Sequence, residues 1–200
     1  MNANSAMRRV FTAGPAFWGL AMFVAMGAIV ALRILGAIDA IVSVALMLVV
    51  GPAMIVPMMR AADRLAREKG CGSPAGRRYI MRMGASSAAY TVLLPVTLWC
   101  WEHFRPGTVV TVLLALAVVL PVFAMFGAVA RYLAEETDEY LRHRTVSALL
   151  WGLGAVLVLG SLWGFLETFR LVPHVPGWAV VPVWAIGMGI GQLWMGAGKR

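Results

Sequence analysis

The chain has 200 residues, of which 61% are hydrophobic and only 13% are charged. A soluble domain carries about 25% charged residues, so this composition excludes an ordinary soluble fold. The net charge is +8, but the basic residues flank apolar stretches in the way that membrane topology requires. We therefore expect no nucleic-acid partner.

Six apolar runs occupy most of the sequence and predict its fold class. Each run is close to the roughly 20 residues that a helix needs to cross a bilayer. They lie at about 14–32, 38–59, 83–101, 109–130, 147–167 and 178–194. The sequence thus predicts an all-α integral membrane bundle of six transmembrane helices. These would pair as three antiparallel hairpins in one domain over residues 1–200.

The distribution of Lys and Arg predicts the orientation of this bundle. If the six helices alternate in direction, fourteen of the seventeen basic side chains fall on one side, and only Arg33, Arg105 and Arg170 fall on the other. Cytoplasmic loops collect Lys and Arg. We therefore expect both termini in the cytoplasm, the chain in a bacterial inner membrane, and the basic side in contact with anionic lipid headgroups.

Helix-start signals mark the segments on this basic side. Residues 5–12 are typical of a short surface helix, and residues 61–69 extend the second span. Ser73 followed by Pro74 is typical of an N-cap and a first helical turn. In the next basic segment, Thr137 is a candidate N-cap for a helix that begins at Asp138, and Arg142 stands four residues later for an ion pair with Asp138.

The same segments supply the first candidate site, a set of charged side chains that would contact lipid headgroups or a cytoplasmic protein. If one continuous helix includes Glu135, the acids that follow it share its face and could bind a cation or a partner. Helix capping explains these acids without any ligand and is the preferred explanation. The candidate residues are Arg77, Arg78, Arg82, Asp138, Glu139 and Arg142.

Two aromatic clusters on the opposite side form the second candidate site. Segments 98–105 and 162–170 resemble each other, which favours an internal repeat of parallel hairpins. Their Trp side chains could stack on a ligand while Glu and Arg orient it. An aromatic belt with ion pairs from Glu102 to Arg105 and from Glu167 to Arg170 is the alternative without a ligand. The candidate residues are Trp99, Glu102, Arg105, Trp163, Glu167 and Arg170.

Small residues and prolines recur inside the spans. Gly160-x-x-x-Gly164 and Gly187-x-x-x-Gly191 allow close helix contacts, either within one chain or between copies in a homo-oligomer. Prolines stand at positions 52, 57, 95, 121 and 182. Proline can kink a helix, but membrane helices tolerate it, and this second explanation is preferred.

Motifs for chemistry are missing from the sequence. No ionisable residue lies deep in a span, whereas proton relays and ion-coupled pumps need such residues there. Cys71 and Cys100 fall on opposite sides of the predicted membrane, so we expect no disulfide between them. We find no Cys/His cluster, phosphate-binding glycine loop or catalytic motif, and we expect no catalytic residue, no cofactor and no metal.

A charged stretch follows the fourth span, Arg131-Tyr132-Leu133-x-Glu135-x-x-Asp138-Glu139-Tyr140-x-Arg142. It resembles the R-Y-L-x-E-x-D-E-x-x-R stretch in a family of small, uncharacterised bacterial inner-membrane proteins with four helices. Arg78-Tyr79, Leu120-Pro121 and Pro176-x-Trp178 extend the resemblance over residues 78–194. This chain has one inserted residue and an additional hairpin before the matching region. The resemblance implies a membrane location and a shared helix bundle, and it implies no activity.

These patterns favour a non-enzymatic function. We expect an inner-membrane interaction or regulatory subunit that uses its charged cytoplasmic segments. The alternative is a transporter or permease subunit for a small apolar or cationic molecule, with its entrance at the outer aromatic clusters. A membrane enzyme that acts on lipids is a third hypothesis, supported only by the acids at 135–139.

Overall fold

The computed structural model describes residues 14–68 and 72–197, with side chains as far as Met195. These residues form long helices and no strand. Six of the helices are long and apolar enough to cross a membrane, which confirms the predicted all-α fold with six spans. The helices are α1 Pro15–Ile34, α2 Ala40–Glu68, α3 Pro74–Phe104, α4 Thr108–Glu135, α5 Glu139–Thr168 and α6 Val180–Ala197, the last preceded by a 3₁₀ turn at Gly177–Ala179.

Helices α2 to α5 are longer than a bilayer requires. Helix α3 has 31 residues, which is about 46 Å of helix against roughly 30 Å of hydrocarbon core. The predicted extension of the second span is confirmed as far as Glu68, where α2 ends. The surface helix predicted for residues 5–12 lies outside the described residues. Because four helices exceed the core, their charged ends project into the headgroup layer or beyond it.

One of the two predicted helix starts is confirmed and the other is wrong. Ser73 caps α3, and its Oγ accepts a hydrogen bond of 2.8 Å from the backbone N–H of Gly76. Helix α5 begins at Glu139, and its N-cap is Asp138 rather than Thr137. The Asp138 carboxylate accepts hydrogen bonds from the backbone N–H groups of Tyr140 and Leu141, at 2.9 and 3.2 Å. That carboxylate is therefore used in capping, and the predicted ion pair with Arg142 does not form among the described side chains.

The chain divides into two compact units, the first ending at Glu135 and the second beginning at Glu136. In the first unit, α1 packs against α2, α2 against α3, and α3 against α4. Its core includes Ile29, Ile55, Tyr90 and Met125, all less than a tenth exposed. In the second unit, α5 packs against α6.

Glycines allow the closest helix approaches within each unit. A Cβ on Gly84 of α3 would overlap the side chain of Met59 on α2. In the second unit, a Cβ on Gly187 would lie only 2.6 Å from Cβ of Ala155. Gly187 and Gly191 therefore pack within the chain, as one of the two sequence interpretations expects. Gly160 and Gly164, by contrast, have open space where a Cβ would stand.

Four of the five span prolines lie inside helices, at positions 52, 57, 95 and 121. Pro182 differs because it is the third residue of α6. Backbone N–H groups in the first turn of a helix have no partner within that helix, so a proline there removes little. A kink is therefore not required at Pro182.

Candidate functional site

A carboxylate at the end of α4 joins two arginines near the start of α3. Nε of Arg78 lies 2.8 Å from Oε2 of Glu135, and Nη1 of Arg82 lies 3.0 Å from Oε1 of the same side chain. Arg78 and Arg82 are four residues apart and therefore share one face of α3. We call these three residues the arginine–glutamate cluster.

The two guanidinium groups favour the ionised form of Glu135. The hydrogen bond from Arg82 is the main cause that lowers the pKa of this carboxyl, and the hydrogen bond and charge of Arg78 add to it, although desolvation partly opposes the shift. Glu135 lies beyond the apolar run that ends at residue 130, and so outside the hydrocarbon core. The cluster carries two positive charges against one negative charge.

A pair of tyrosines packs beside the cluster, between the same two helices. The rings of Tyr79 and Tyr132 have their centroids 4.9 Å apart with an interplanar angle of 37°. Tyr132 is only 7% exposed. A contact of this kind contributes about 0.5–1.5 kcal/mol beyond the area that it buries. The tyrosines therefore help to keep the facing ends of α3 and α4 in register.

Further arginines surround the cluster without counterions. Arg131 is exposed and stands four residues before Glu135, so the two share a face of α4. Arg77, next to Arg78, is also exposed. Neither Arg77 nor Arg131 forms an ion pair with any side chain in the described part of the chain. This end of the first unit therefore keeps excess positive charge at its surface.

The structure brings together only part of the first predicted site. Arg78 and Arg82 meet through Glu135, which the sequence did not pair with them, and Arg77 lies beside them. Asp138, Glu139 and Arg142 lie at the start of α5 in the second unit. A continuous helix through Glu135 and these acids is wrong, because α4 ends at Glu135 and α5 begins at Glu139. Glu135 therefore does not share their helical face.

The contact to Glu135 was missed because 57 and 53 residues separate it from Arg78 and Arg82. Local spacing gives no information about such a pair. The usable signal is topological: an acid just after one span can meet basic residues just before the preceding span when the two spans form a hairpin.

The first outer cluster forms, but with different partners. Glu102 makes an ion pair of 3.6 Å with Arg33 at the end of α1, so the predicted pair with Arg105 is wrong. Arg105 ends α3 in the left-handed conformation, with φ of 44°, and its guanidinium lies 5.1 Å from the centroid of the Trp101 ring. Trp99 stacks on His103 with centroids 5.2 Å apart. The helix end is thus covered by aromatic and cationic side chains.

The second outer cluster, in the second unit, holds a loop onto the end of α5. Oε1 of Glu167 lies 2.6 Å from Nδ1 of His174, and the predicted pair with Arg170 is wrong. Nε1 of Trp163 donates a hydrogen bond of 3.2 Å to the carbonyl of Pro173. Arg170 has a left-handed backbone with φ of 59°. The site-forming partners here are loop residues that the sequence interpretation did not include.

Arg105 and Arg170 occupy matching places at the ends of the two similar segments. They are the two non-glycine residues with positive φ in the described part of the chain. Each follows the last turn of its helix and donates its backbone N–H to a carbonyl of that turn, to Trp101 and to Glu167 respectively. Both similar segments therefore end in a left-handed arginine, although Arg105 directly follows its helix and Arg170 stands one residue further on.

An apolar groove lies between α5 and α6, at mid-span. It has a volume of about 510 Å³, and its walls include Trp151, Gly154, Val158, Gly187 and Ile190. No ionisable side chain lines it. The groove can accommodate an apolar group, and it offers no charged residue for a cation.

The described residues contain no group of three or more His, Cys, Asp or Glu side chains arranged to hold a metal ion. Cys100 is a free, partly buried thiol on α3.

Comparison with known proteins assigns no function to the chain. No protein-family model matches it, and no curated protein or solved structure does so. The family resemblance over residues 78–194 therefore stays a prediction. The geometry of the described residues is the remaining basis for a functional proposal.

Proposed function

We propose that this protein is a multipass protein of the bacterial inner membrane with a non-enzymatic role. It acts as an interaction or regulatory subunit whose arginine-rich helix ends contact anionic lipid headgroups and a soluble cytoplasmic protein. The observation that carries this proposal is the arginine–glutamate cluster, in which Arg78 and Arg82 are fixed by Glu135 across two helices. The excess of Lys and Arg on one side of the six spans supports the cytoplasmic orientation.

The cluster favours a binding role because it orders a charged surface in advance. Long side chains lose conformational entropy when a partner immobilises them, at about 0.5–1.5 kcal/mol each. Arg78 and Arg82 are already held by Glu135, and their helices are further aligned by Tyr79 and Tyr132. An anionic group that binds this cluster would therefore meet a largely preformed site.

The start of α5 supplies a second charged surface. The excess of Lys and Arg in the segments that flank this helix start supports its cytoplasmic location. Asp138 is used to cap the helix, whereas Glu139 and Arg142 are exposed. A surface with charges of both signs fixes the orientation of a bound partner and rejects unsuitable partners, and it adds less to affinity. Such selectivity is consistent with a regulatory contact.

The proposal is tested by recovery of a cytoplasmic partner from membranes cross-linked in intact cells. The test variant combines Arg77→Glu with Glu139→Lys and leaves Asp138 in place, because Asp138 is the N-cap. The control combines Asp39→Lys with Arg170→Glu, which makes the same change in charge at the other end of the spans and breaks no ion pair of the described residues. We expect one specific protein to be captured by the wild type and the control and lost with the test variant. Equal capture by all three proteins would contradict the proposal.

The groove between α5 and α6 favours a second candidate, a transporter or permease subunit for a small apolar molecule. This function needs water to reach the groove from one side of the membrane. In that case, Gly154→Cys in a background without the native cysteines should react with a membrane-impermeant thiol reagent. No reaction, together with labelling by a lipid-soluble reagent, would show a groove filled by lipid and would count against transport.

A further inference from the structure

We propose that Arg78, Arg82 and Arg131 bind the phosphate of one anionic phospholipid headgroup, and that Glu135 acts as the positioning residue for this site. This inference deepens the proposed function and rests on it, because it requires the arginine-rich helix ends to face the headgroup layer. It adds a defined site and a defined ligand chemistry to the general attraction between basic residues and anionic membranes.

The height of these residues in the membrane is the first argument. The apolar run of α3 begins at residue 83, and that of α4 ends at residue 130. At 1.5 Å per residue, Arg82 and Arg131 lie about 1.5 Å outside the hydrocarbon core, and Arg78 and Glu135 lie about 7.5 Å outside it. The headgroup layer is roughly 5–8 Å thick on each side. The four residues therefore span the layer that contains the lipid phosphates.

The second argument is the number of donors that remain. A guanidinium group has five N–H donors. Arg78 uses its Nε toward Glu135 and Arg82 uses its Nη1, which leaves further donors on both groups. The two side chains stay 54% and 33% exposed. Phosphate oxygens accept paired hydrogen bonds from guanidinium groups with favourable geometry, so the cluster can bind a phosphate while Glu135 stays bound.

Charge selects the ligand class. Arg131 lies one helical turn before Glu135 on the same face of α4, and the charges of these four residues sum to three positive and one negative. Glu135 offsets one of the three positive charges and leaves two without a counterion. The single negative charge of a phosphodiester can offset one of these two. A soluble acidic protein is the less suitable occupant, because Arg82 and Arg131 stand at the boundary of the hydrocarbon core, where lipid reaches them first.

The test measures lipid retention by the purified full-length protein. Native mass spectrometry would count bound dioleoylphosphatidylglycerol or dioleoylphosphatidylcholine after titration in detergent. We expect the wild type to retain the first lipid and not the second. Arg82→Gln and Arg131→Gln should each weaken retention by about tenfold, since each loses charge-assisted hydrogen bonds to the phosphate. Arg33→Gln removes one positive charge from the other end of the spans and should retain the lipid as the wild type does.

Three results would overturn this site: unchanged retention by both test variants, an equal loss with Arg33→Gln, or displacement of the lipid by millimolar inorganic phosphate. The last result would indicate a site for soluble phosphate. If Arg82→Gln loses its helical circular dichroism, Arg131→Gln decides alone, because Arg131 makes no ion pair in the described structure. Lipid retention is measured without any protein partner, so failure of the wild type to retain the lipid, with partner capture intact, contradicts only this site. The reverse result contradicts only the partner role.

Discussion

Arg82 and Glu135 are 53 residues apart in the sequence, yet Nη1 of the arginine lies 3.0 Å from Oε1 of the glutamate. One stands just before the third apolar run and the other just after the fourth. The hairpin of α3 and α4 is closed at one end by the short connection after Phe104. The contact between Arg82 and Glu135 closes it at the other end. Both ends of this hairpin are therefore constrained, and its charged end is a defined surface.

We expect the stabilisation from Glu135 to depend on pH in a definite direction. The arginines lower the pKa of Glu135 in the folded protein. A carboxyl with a lowered folded pKa stabilises the fold at any pH above its ordinary pKa, and this contribution is lost as the pH falls through the lowered value. Glu135→Gln cannot ionise and should melt below the wild type at neutral pH, by no more than about 2–4 °C, because the pair is at the surface.

The measurement is thermal unfolding in detergent across an acid titration, with wild type and Glu135→Gln side by side. The two melting temperatures should converge once the pH is below the lowered pKa of Glu135. Asp39→Asn is the control, because Asp39 is exposed and makes no ion pair in the described structure. A difference between wild type and Glu135→Gln that persists unchanged into strong acid would exclude an electrostatic role for Glu135.

Gly84 should be difficult to replace because of its contact with Met59. A Cβ at this position would overlap the end of the Met59 side chain and lie 2.7 Å from its Cγ. The thioether must move, and so must the closely packed helices α2 and α3. Gly84→Ala should therefore destabilise the first unit by about 1–3 kcal/mol. Gly27→Ala is the matched control, since a Cβ at Gly27 meets nothing within 4 Å, and a stability equal for both variants would refute the close contact.

Gly187 and Gly189 lie on the same helix and should respond in opposite ways to alanine. A Cβ on Gly187 would lie 3.0 Å from Cα of Gly152 and 3.0 Å from the backbone oxygen of Trp151. Backbone atoms cannot rotate away, so α5 and α6 must separate. We expect Gly187→Ala to cost about 1–3 kcal/mol and Gly189→Ala to gain up to about 1 kcal/mol from helix propensity. Chemical unfolding in mixed micelles measures both changes, and two equal losses would contradict the packing described for α6.

The helices themselves could be predicted from the sequence, because an apolar run that crosses the bilayer must hydrogen-bond its own backbone groups. A helix does this within a single segment. The Ser73 cap was also predictable, since it depends on only three neighbouring residues. The α5 cap was missed by one position. Thr137 and Asp138 both favour capping, and the structure uses Asp138, whose carboxylate reaches two backbone N–H groups.

The ion pairs were harder to predict because they depend on where the chain goes after a helix ends. A pair from Glu102 to Arg105 requires the helix to continue through Arg105, but the left-handed backbone there ends it. Glu102 then pairs with Arg33 from α1, and Glu167 pairs with His174 from the following loop. Only the packed structure brings these partners close.

Arg170 gives a prediction about the conformation of the outer helix ends. Its φ of 59° is a left-handed conformation that costs a residue with a Cβ roughly 1–2 kcal/mol, whereas glycine adopts it readily. Arg170→Gly should therefore stabilise the second unit by about 1 kcal/mol, after allowing for the greater flexibility of glycine in the unfolded chain. Arg170→Ala keeps the Cβ and should show no such gain.

Arg105→Gly should gain less than Arg170→Gly, because it also loses the contact of the guanidinium with Trp101. That contact is worth about 0.5–1 kcal/mol at an exposed site. Chemical unfolding of the four proteins, wild type included, measures these differences. If alanine and glycine at position 170 prove equally stable, the backbone there is not left-handed and the likeness between the two helix ends is lost.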